Sequence, residues 1–260
     1  MLACRVKNDE EETVSLWGIP LITNTSEADV ILCNFLKATE FSVQDSYNML
    51  IDCRSWRKAY FGQVDILEQQ FPEFKQLENI AIYIHGVDRQ GHRVYYNDYR
   101  TLNEHLNHKI LGTDEKIDKF NKWRLQVLER GIRMHPGRIN SVVAAYDFTQ
   151  EPIDELMAAD DLFYEILLDN YPGMISINDP WYVSVNLSIK RLLYPNIEYS
   201  ELGKFVLVKR GQVFETLCKY IKPEHIPIQY GGLLDGGELN NHRVFGITGK
   251  GGDTGNEVNL

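Results

Sequence analysis

The amino-acid sequence predicts an α/β fold in which helices pack on a mixed or largely parallel sheet. Short runs of β-branched and aromatic residues, at 81–85, 141–148 and 204–208, alternate along the chain with longer segments of helical periodicity. The run 141–148 is almost continuously apolar, which is typical of a strand buried on both faces. Strands and helices that alternate in this way build one sheet with helices packed on it.

The composition indicates a soluble globular protein in a reducing compartment. Of the 260 residues, 43% are hydrophobic and 25% are charged, and no apolar run approaches the roughly 18 to 20 residues of a membrane-spanning helix. The four cysteines are widely spaced, which argues against a disulfide framework or a zinc site. The formal net charge of −10 disfavours a nucleic-acid partner. We therefore expect a cytoplasmic protein.

Basic residues are enriched in the C-terminal part of the chain despite the negative net charge. Two interpretations remain open: a solvated surface, or a weak docking patch for a membrane. The residues concerned are Lys190, Arg191, Lys204, Lys209, Arg210, Lys219 and Lys222.

Two helices are predicted near the N-terminus. Thr25 or Ser26 can cap a helix that runs through Lys37. Ser42, which resembles the start of a capping box, would open a second helix that ends at about Tyr60. The residues expected to face inward are Val30, Ile31, Phe35 and Leu36 in the first helix, and Val43, Tyr47, Leu50 and Trp56 in the second.

A hairpin and two long helices are predicted in the middle of the chain. The runs 81–85 and 93–96 are joined through 88–91, which is typical of a β-hairpin. The periodicity then predicts helices over about 113–134 and 151–168. In the first of these helices the inward-facing residues are expected to be Ile117, Phe120, Trp123, Val127 and Ile132. In the second, Asp160 and Asp161 are expected on an exposed face.

The stretch 169–193 predicts a short buried strand at Met174, a turn marked by Pro180, and an amphipathic helix after it. Val183, Leu187 and Leu193 fall near one face of that helix. Periodicity alone leaves open whether the helix completes a solid core or closes over a cavity. A further strand over 204–208 and a helix over 211–221 follow, before a Gly-rich segment whose spacing does not fit a phosphate-binding loop.

Several separated motifs resemble those of the CRAL-TRIO lipid-binding domain family, and within it the plant patellins. They are Tyr171-Pro172, the run Asn178-Asp179-Pro180-Trp181-Tyr182-Val183-Ser184, the run Ile221 to Gly232, and Trp17-Gly18-Ile19-Pro20-Leu21. The resemblance implies an N-terminal extension (1–24), a small all-helical annex (25–72), a lipid-binding lobe with a mixed or parallel sheet (73–233) and a flexible tail (234–260). Patellins continue into a GOLD β-sandwich, for which we expect no complete counterpart here.

No catalytic arrangement stands out in the sequence. It contains neither a Gly-x-Ser-x-Gly elbow nor a His-Glu-x-x-His pair. His85 and Asp147, each in a predicted strand, are interpreted as structural, and by the resemblance an Asp at the end of such a strand is usual. We expect a protein that is not an enzyme and that uses no cofactor or metal besides a bound lipophile.

The resemblance implies an apolar pocket that is floored by the sheet and closed by a mobile gate helix. The floor would consist of Tyr83, Tyr95, Val142, Ala144, Met174, Phe205 and Leu207, and the gate would contain Trp181, Tyr182, Val183, Leu187 and Leu193. The expected partners are a hydrophobic small molecule or lipid and, transiently, a membrane surface. The alternative is that these residues simply pack against each other.

The sequence departs from relatives that transfer phosphatidylinositol. Their annex has an Arg-Lys pair where this chain has Thr39 and Glu40. They also have a Glu where this chain has Gly173. Lys204 remains as a possible headgroup contact, and apolar residues, Val142 and Ala144, replace the polar groups that hold phosphatidylcholine. We therefore expect a weakly polar ligand such as a sterol, an isoprenoid, a carotenoid or a fatty acyl lipid. The alternative is a trafficking adaptor or phosphoinositide-binding module with a protein partner, which acts through its surface.

Overall fold

The computed structural model describes residues 15–89, 91–133, 143–147, 153–172, 181–183, 206–207 and 211–234. For 143–147, 181–183 and 206–207 it describes the backbone path and the strand pairing. The strands are β1 (Ser15–Leu16), β2 (Ile19–Pro20), β3 (Ile82–Val87), β4 (Arg93–Asp98), β5 (Val143–Asp147), β6 (Trp181–Val183) and β7 (Val206–Leu207). The helices are α1 (Ser26–Ala38), α2 (Val43–Phe61), α3 (Tyr99–His105), α4 (His108–Leu111), α5 (Asp114–Arg133), α6 (Asp154–Asn170) and α7 (Val213–Cys218). Short 3-10 helices lie at 66–68, 72–77, 223–225 and 228–230.

The two N-terminal helices begin where their caps predict. The Thr25 hydroxyl accepts a hydrogen bond from the Ala28 N–H at 3.3 Å, and the Ser42 hydroxyl accepts one from the Asp45 N–H at 3.4 Å. Ile31 and Phe35 of α1 and Leu50 of α2 are buried in the main core. The sequence prediction of this helical annex is confirmed.

A five-stranded mixed sheet follows, in the order β3-β4-β5-β6-β7. β3 and β4 form an antiparallel hairpin, and β4, β5, β6 and β7 pair in parallel. Helices α3 to α5 lie in the connection from β4 to β5, and α6 lies in the connection from β5 to β6. Helices between parallel strands pack back onto the sheet, so the predicted α/β class is confirmed.

Side chains of β3 and β4 alternate between two buried faces of the sheet. Ile82 and Tyr95 belong to the main core, which also contains the apolar residues of α5 and α6. Tyr83, Val94 and Tyr96 belong to a second core on the opposite face, together with apolar residues of segment 211–234. The sheet therefore has a helix-covered face, with α5 and α6, and a second face, which bears Tyr83 and Tyr96.

The prediction of a helix after Pro180 is wrong for the first three residues of that helix. Residues Trp181–Val183 form strand β6, paired on one side with β5 and on the other with β7. Aromatic and β-branched residues favour strands, and a proline is compatible with the start of a strand as well as with that of a helix. The remaining gate residues, Leu187 and Leu193, and the strand predicted at Met174 lie outside the described residues.

A second correction concerns Asp160, which was expected on an exposed helix face. It is buried on α6 and forms an ion pair with Arg124 at 2.6 Å. Its neighbour Asp161 is exposed, as expected. In the described part of the chain, no helix is long and apolar enough to cross a membrane.

Candidate functional site

The two tyrosines predicted to floor one pocket lie on opposite faces of the sheet. Tyr83 is the ladder partner of Tyr96, whereas Tyr95 is the ladder partner of Ile84. Successive residues of a strand point to opposite faces, and cross-strand partners point to the same face, so Tyr83 and Tyr95 cannot line one slot. The prediction of a common floor is therefore wrong for this pair. Val142, Met174, Phe205 and Lys204 lie outside the described residues.

Tyr95 lies in a filled core on the helix-covered face. Its side chain is 1% exposed, and burial raises the pKa of its hydroxyl to about 12. A fully buried polar network adjoins it. The Arg124 guanidinium donates to the Asp160 carboxylate, the Tyr99 hydroxyl donates to the same carboxylate at 2.7 Å, and the Phe163 ring lies 3.9 Å from the guanidinium carbon. The alternative interpretation, that the predicted residues pack against protein, holds for Tyr95.

The second face presents a stack of aromatic rings. The ring centroids of Tyr83 and Tyr96 are 5.1 Å apart, and those of Tyr96 and Tyr230 are 6.2 Å apart. The Tyr96 hydroxyl donates a hydrogen bond to the His225 carbonyl oxygen at 3.1 Å. Burial raises the pKa of Tyr96 well above its usual value. Segment 211–234 therefore covers this face at its β3–β4 end.

The β3–β4 hairpin fastens the covering segment to the sheet. The Arg89 guanidinium donates to the Cys218 carbonyl oxygen at 2.9 and 3.1 Å, at the end of α7, and the Arg89 N–H donates to the Tyr220 carbonyl oxygen at 2.6 Å. Asp88 and Ile221 form an isolated β-bridge. These contacts hold segment 211–234 against the β3–β4 hairpin.

Gly86 lets the covering segment approach β3 closely. Its φ is +64°, and a Cβ at this position would lie 2.7 Å from the His225 Cβ. Gly18 also has a positive φ, of +79°, but a Cβ there would meet no atom within 4 Å. We expect Gly86→Ala to lower the free energy of unfolding by about 1–3 kcal/mol more than Gly18→Ala, because both variants add backbone strain but only the first adds overpacking. Equal losses in urea denaturation would contradict this close approach.

One ladder row crosses the second face from edge to edge. Tyr83 pairs with Tyr96, Tyr96 with Ala145, Ala145 with Trp181, and Trp181 with Val206. We call these five residues the Tyr83 row. Only Tyr83 among them was predicted for the floor. The predicted Ala144 is instead the ladder partner of Tyr95, and Leu207 is the partner of Tyr182, which pairs with Tyr146.

Side chains alternate between the two faces along a strand, so one residue of known face would have assigned the other residues of its strand. The members of the Tyr83 row that the floor prediction missed could have been found in this way. Tyr96 follows from Tyr83 through the hairpin, and Ala145 differs from the predicted Ala144 by a single step along β5. The sequence does not contain the starting point, because the register between strands is set by tertiary pairing.

The annex residues that replace an Arg-Lys pair are used locally. The Thr39 hydroxyl donates to the Phe35 carbonyl oxygen at 3.1 Å and lies 2.6 Å from the Ser46 hydroxyl oxygen. Glu40 is exposed and has a positive φ of 51° in the turn between α1 and α2. Thr39 therefore stabilises the turn, and Glu40 contributes a negative charge at its surface.

A second buried network joins the annex to the sheet domain. The Glu129 carboxylate on α5 accepts from Arg57 of α2 at 2.6 and 3.0 Å, from Arg133 at 2.5 Å and from the Tyr171 hydroxyl at 2.5 Å. Burial raises the pKa of the nearby Cys53 thiol to about 12. Tyr171 and Pro172 end the described segment that leads from α6 towards β6, so this junction holds the annex against the start of that connection.

The described side chains do not form a metal centre. No three His, Cys, Asp or Glu residues within those ranges are placed so that they could hold a metal ion. The described geometry thus consists of a sheet with one filled face, one aromatic face and two buried ionic networks.

Two family models match this chain. The CRAL/TRIO domain matches residues 77–232, and the CRAL/TRIO N-terminal domain matches residues 5–52. Among curated proteins, Patellin-6 of Arabidopsis thaliana is 38% identical over 90% of this chain and 63% of its own length. Patellin-4 of the same plant is 33% identical over 95% of this chain and 47% of its own length. The chain thus spans roughly half to two thirds of these relatives.

More distant similarity extends to fungal proteins. The phosphatidylinositol transfer protein SFH5 of Meyerozyma guilliermondii is 25% identical over 79% of this chain and 64% of its own length. The crystal structure of Sfh5 superposes with a TM-score of 0.64 at 18% identity, and the match covers 85% of this chain and 79% of that structure. This structural likeness supports the fold.

Proposed function

The chain belongs to the CRAL/TRIO domain family, and from this premise we propose that it binds a single lipophilic molecule in an apolar slot on the second face of the sheet. It acts without catalysis, and it transfers or presents the molecule at a membrane surface as a cytoplasmic, peripherally associated protein. The name of one relative, a phosphatidylinositol transfer protein, supports lipid as the class of ligand.

The observation that supports this location best is the Tyr83 row. It runs across all five strands on the face opposite to α5 and α6, and its residues are aromatic or aliphatic. An apolar ligand buried against such a surface gains about 25 cal/mol per Å² of area removed from water, so no covalent chemistry is needed to retain it. The described cover, 211–234, packs on the β3–β4 end. We place the slot over β5, β6 and β7.

The ligand we propose is weakly polar: a sterol, an isoprenoid, a carotenoid or a fatty acyl lipid. A buried phosphate requires charge-assisted donors. In the annex turn, the Thr39 hydroxyl is already hydrogen-bonded within the turn, and Glu40 presents an exposed carboxylate. Relatives that hold phosphatidylinositol use an Arg-Lys pair at these two positions, as the family resemblance implies.

The cover over the rest of the slot is proposed to come from residues that follow β6. Trp181, Tyr182 and Val183 cannot belong to a gate helix because they form the sheet itself. Leu187 and Leu193 stay in the proposal as gate residues. Movement of this cover at a membrane would let the ligand exchange.

Photo-crosslinking tests which face binds the ligand. A fatty acid that bears a diazirine group is loaded from vesicles, irradiated and mapped by mass spectrometry. We expect adducts at Ala145, Trp181 and Val206, the members of the Tyr83 row on β5 to β7. We expect none at Tyr95 or on α5, because the sheet separates these from the slot. The matched control is the denatured protein, which should react without preference for a face. Adducts concentrated at Tyr95 and α5 would contradict the proposed location.

A further inference from the structure

The C-terminal end of helix α2 borders an open cleft that is not part of the proposed slot. Its volume is about 240 Å³. It is lined by Ser15 and Leu16 of β1, by Arg54, Arg57, Lys58 and Phe61 of α2, and by residues 62–66. The cleft is distant from the annex turn of Thr39 and Glu40, since α2 has 19 residues and spans about 28 Å.

Three basic residues and one acidic residue line this cleft, in a chain whose net charge is negative. Arg54, Arg57 and Lys58 occupy positions i, i+3 and i+4 of α2, so they share one face of the helix. Asp65 is an acidic lining residue, and its carboxylate accepts hydrogen bonds from Arg133 at 2.8 and 2.9 Å. Burial alone would raise the pKa of Asp65, but the Arg133 and Leu67 N–H groups hold it below its usual value. Arg133 also pairs with Glu129, which in turn pairs with Arg57, so these four linked groups carry two charges of each sign. Lys58 therefore supplies the exposed positive charge of the cleft.

Arg57 is held in a fixed position at the cleft. Glu129 and Tyr171 accept three hydrogen bonds from its guanidinium, and its carbon atom lies 5.0 Å from the centroid of the Phe61 ring. A guanidinium has five N–H groups, so two are not used in these three hydrogen bonds. Lys58 is exposed, and its ammonium has no ion-pair partner among the described carboxylates. A fixed donor thus lies next to an exposed cation.

We infer that this cleft binds a phosphate monoester, with Arg57 as the fixed donor and Lys58 and Arg54 as the surrounding cations. Guanidinium and ammonium groups together form the donor set that favours a doubly charged phosphate over a carboxylate or a neutral sugar. The volume suits the phosphate end of a small molecule or of a lipid headgroup. The acyl part of a lipid would have to remain in the membrane, because the cleft lining is mostly polar or charged.

Two probes distinguish the sources of the phosphate monoester. Binding of the full chain is measured to glycerol 3-phosphate by calorimetry, and to phosphatidylcholine vesicles that contain phosphatidic acid by flotation. Binding to vesicles alone assigns a headgroup, binding of glycerol 3-phosphate alone assigns a soluble metabolite, and both results support the site. Lys58→Glu should weaken binding by about tenfold or more, because it replaces a charge-assisted donor with a repulsive charge.

The matched control is Lys37→Glu, which makes the same change of charge at an exposed position of α1. It should change the affinity by no more than about twofold, since exposed charges at a distance are screened by salt. Equal losses of affinity in the two variants would overturn the inference. The absence of binding to both probes at millimolar concentrations of glycerol 3-phosphate or phosphatidic acid would do the same. Lipophile occupancy, measured on the same samples by native mass spectrometry, should be equal in the wild type and Lys58→Glu. A failure of the cleft is thereby distinguishable from a failure of the slot.

Discussion

Replacement of Glu129 by Ala is expected to lower the free energy of unfolding by about 3–5 kcal/mol. The Glu129 side chain is 0% exposed, and its carboxylate accepts hydrogen bonds from Arg57 and Arg133, whose side chains are 14% and 15% exposed. Without the carboxylate, two largely buried guanidinium groups lose a partner that compensates their desolvation. The Tyr171 hydroxyl loses its acceptor as well. Urea denaturation followed by circular dichroism measures the loss.

The matched control for this prediction is Glu115→Ala, at an exposed acidic position in the first turn of the same helix. It removes the same side chain from α5 and should change stability by about 0.5 kcal/mol or less. A loss below about 1 kcal/mol for Glu129→Ala would show that the annex junction does not depend on this carboxylate. If the junction is the weak point of the variant, the annex should also become sensitive to protease before the sheet domain does.

Arg124→Met is expected to cost a similar amount, about 3–5 kcal/mol, for a different reason. It leaves the Asp160 carboxylate buried without its cationic partner, although the Tyr99 hydroxyl still donates to it, and a buried charge without an ion-pair partner is strongly destabilising. Methionine fills much of the volume of the arginine stem beside Phe163, so the loss of packing is kept small. The double variant Arg124→Met/Asp160→Leu should recover much of the loss, because neither charge remains.

The cost of Arg124→Met should shrink in acid. Burial raises the pKa of Asp160, and Arg124 opposes that rise. Without Arg124 the pKa of Asp160 in the folded state rises further above its unfolded value. An acid whose pKa is raised on folding contributes stability below its unfolded pKa and loses that contribution as pH rises through the folded pKa. The difference from the wild type should therefore be largest at neutral pH and decline towards the unfolded aspartate pKa of about 3.9.

A pH-independent difference between Arg124→Met and the wild type would contradict the assignment of Asp160 as the uncompensated group. Asp161→Ala serves as the control, because it removes an exposed carboxylate from the adjacent position of α6. We expect it to change stability by about 0.5 kcal/mol or less at neutral pH.

The parts of the fold that local sequence determines were predicted. Thr25 and Ser42 cap helices because a side-chain oxygen satisfies an N–H three residues away, and that interaction needs no tertiary partner. The β3–β4 hairpin likewise depends on two β-type runs and the short segment between them. The separated family motifs identified the domain, but the motifs did not fix which face of each strand meets a ligand.

The parts that depend on distant partners were missed. Arg124 and Asp160 are 36 residues apart, and Arg57 and Glu129 are 72 residues apart. A charged residue on a predicted helix is assigned to solvent unless its partner is known, which is why Asp160 was placed on an exposed face. Trp181–Val183 were predicted as helix because Val183, Leu187 and Leu193 fall near one helical face after the turn at Pro180. The pairing with β5 and β7 decided otherwise.

The prediction of a common floor was wrong for Tyr83 and Tyr95 for a related reason. Tyr83 and Tyr95 are both buried aromatic residues of neighbouring strands, and only the register shows that they face opposite ways. The assignment of the slot to the Tyr83 row is a consequence of that register. It replaces a set of apolar residues with a continuous row across the sheet.

Native mass spectrometry on protein purified from its own cell type, followed by extraction and identification of the lipid, tests the central claim most directly. We expect a single lipophilic molecule bound close to one-to-one, without a phosphoinositol or phosphocholine headgroup. Bound phosphatidylinositol would contradict the proposed ligand class. A protein that is empty, and that also takes up no lipid from liposomes, would contradict the slot itself and would favour an adaptor that acts through its surface.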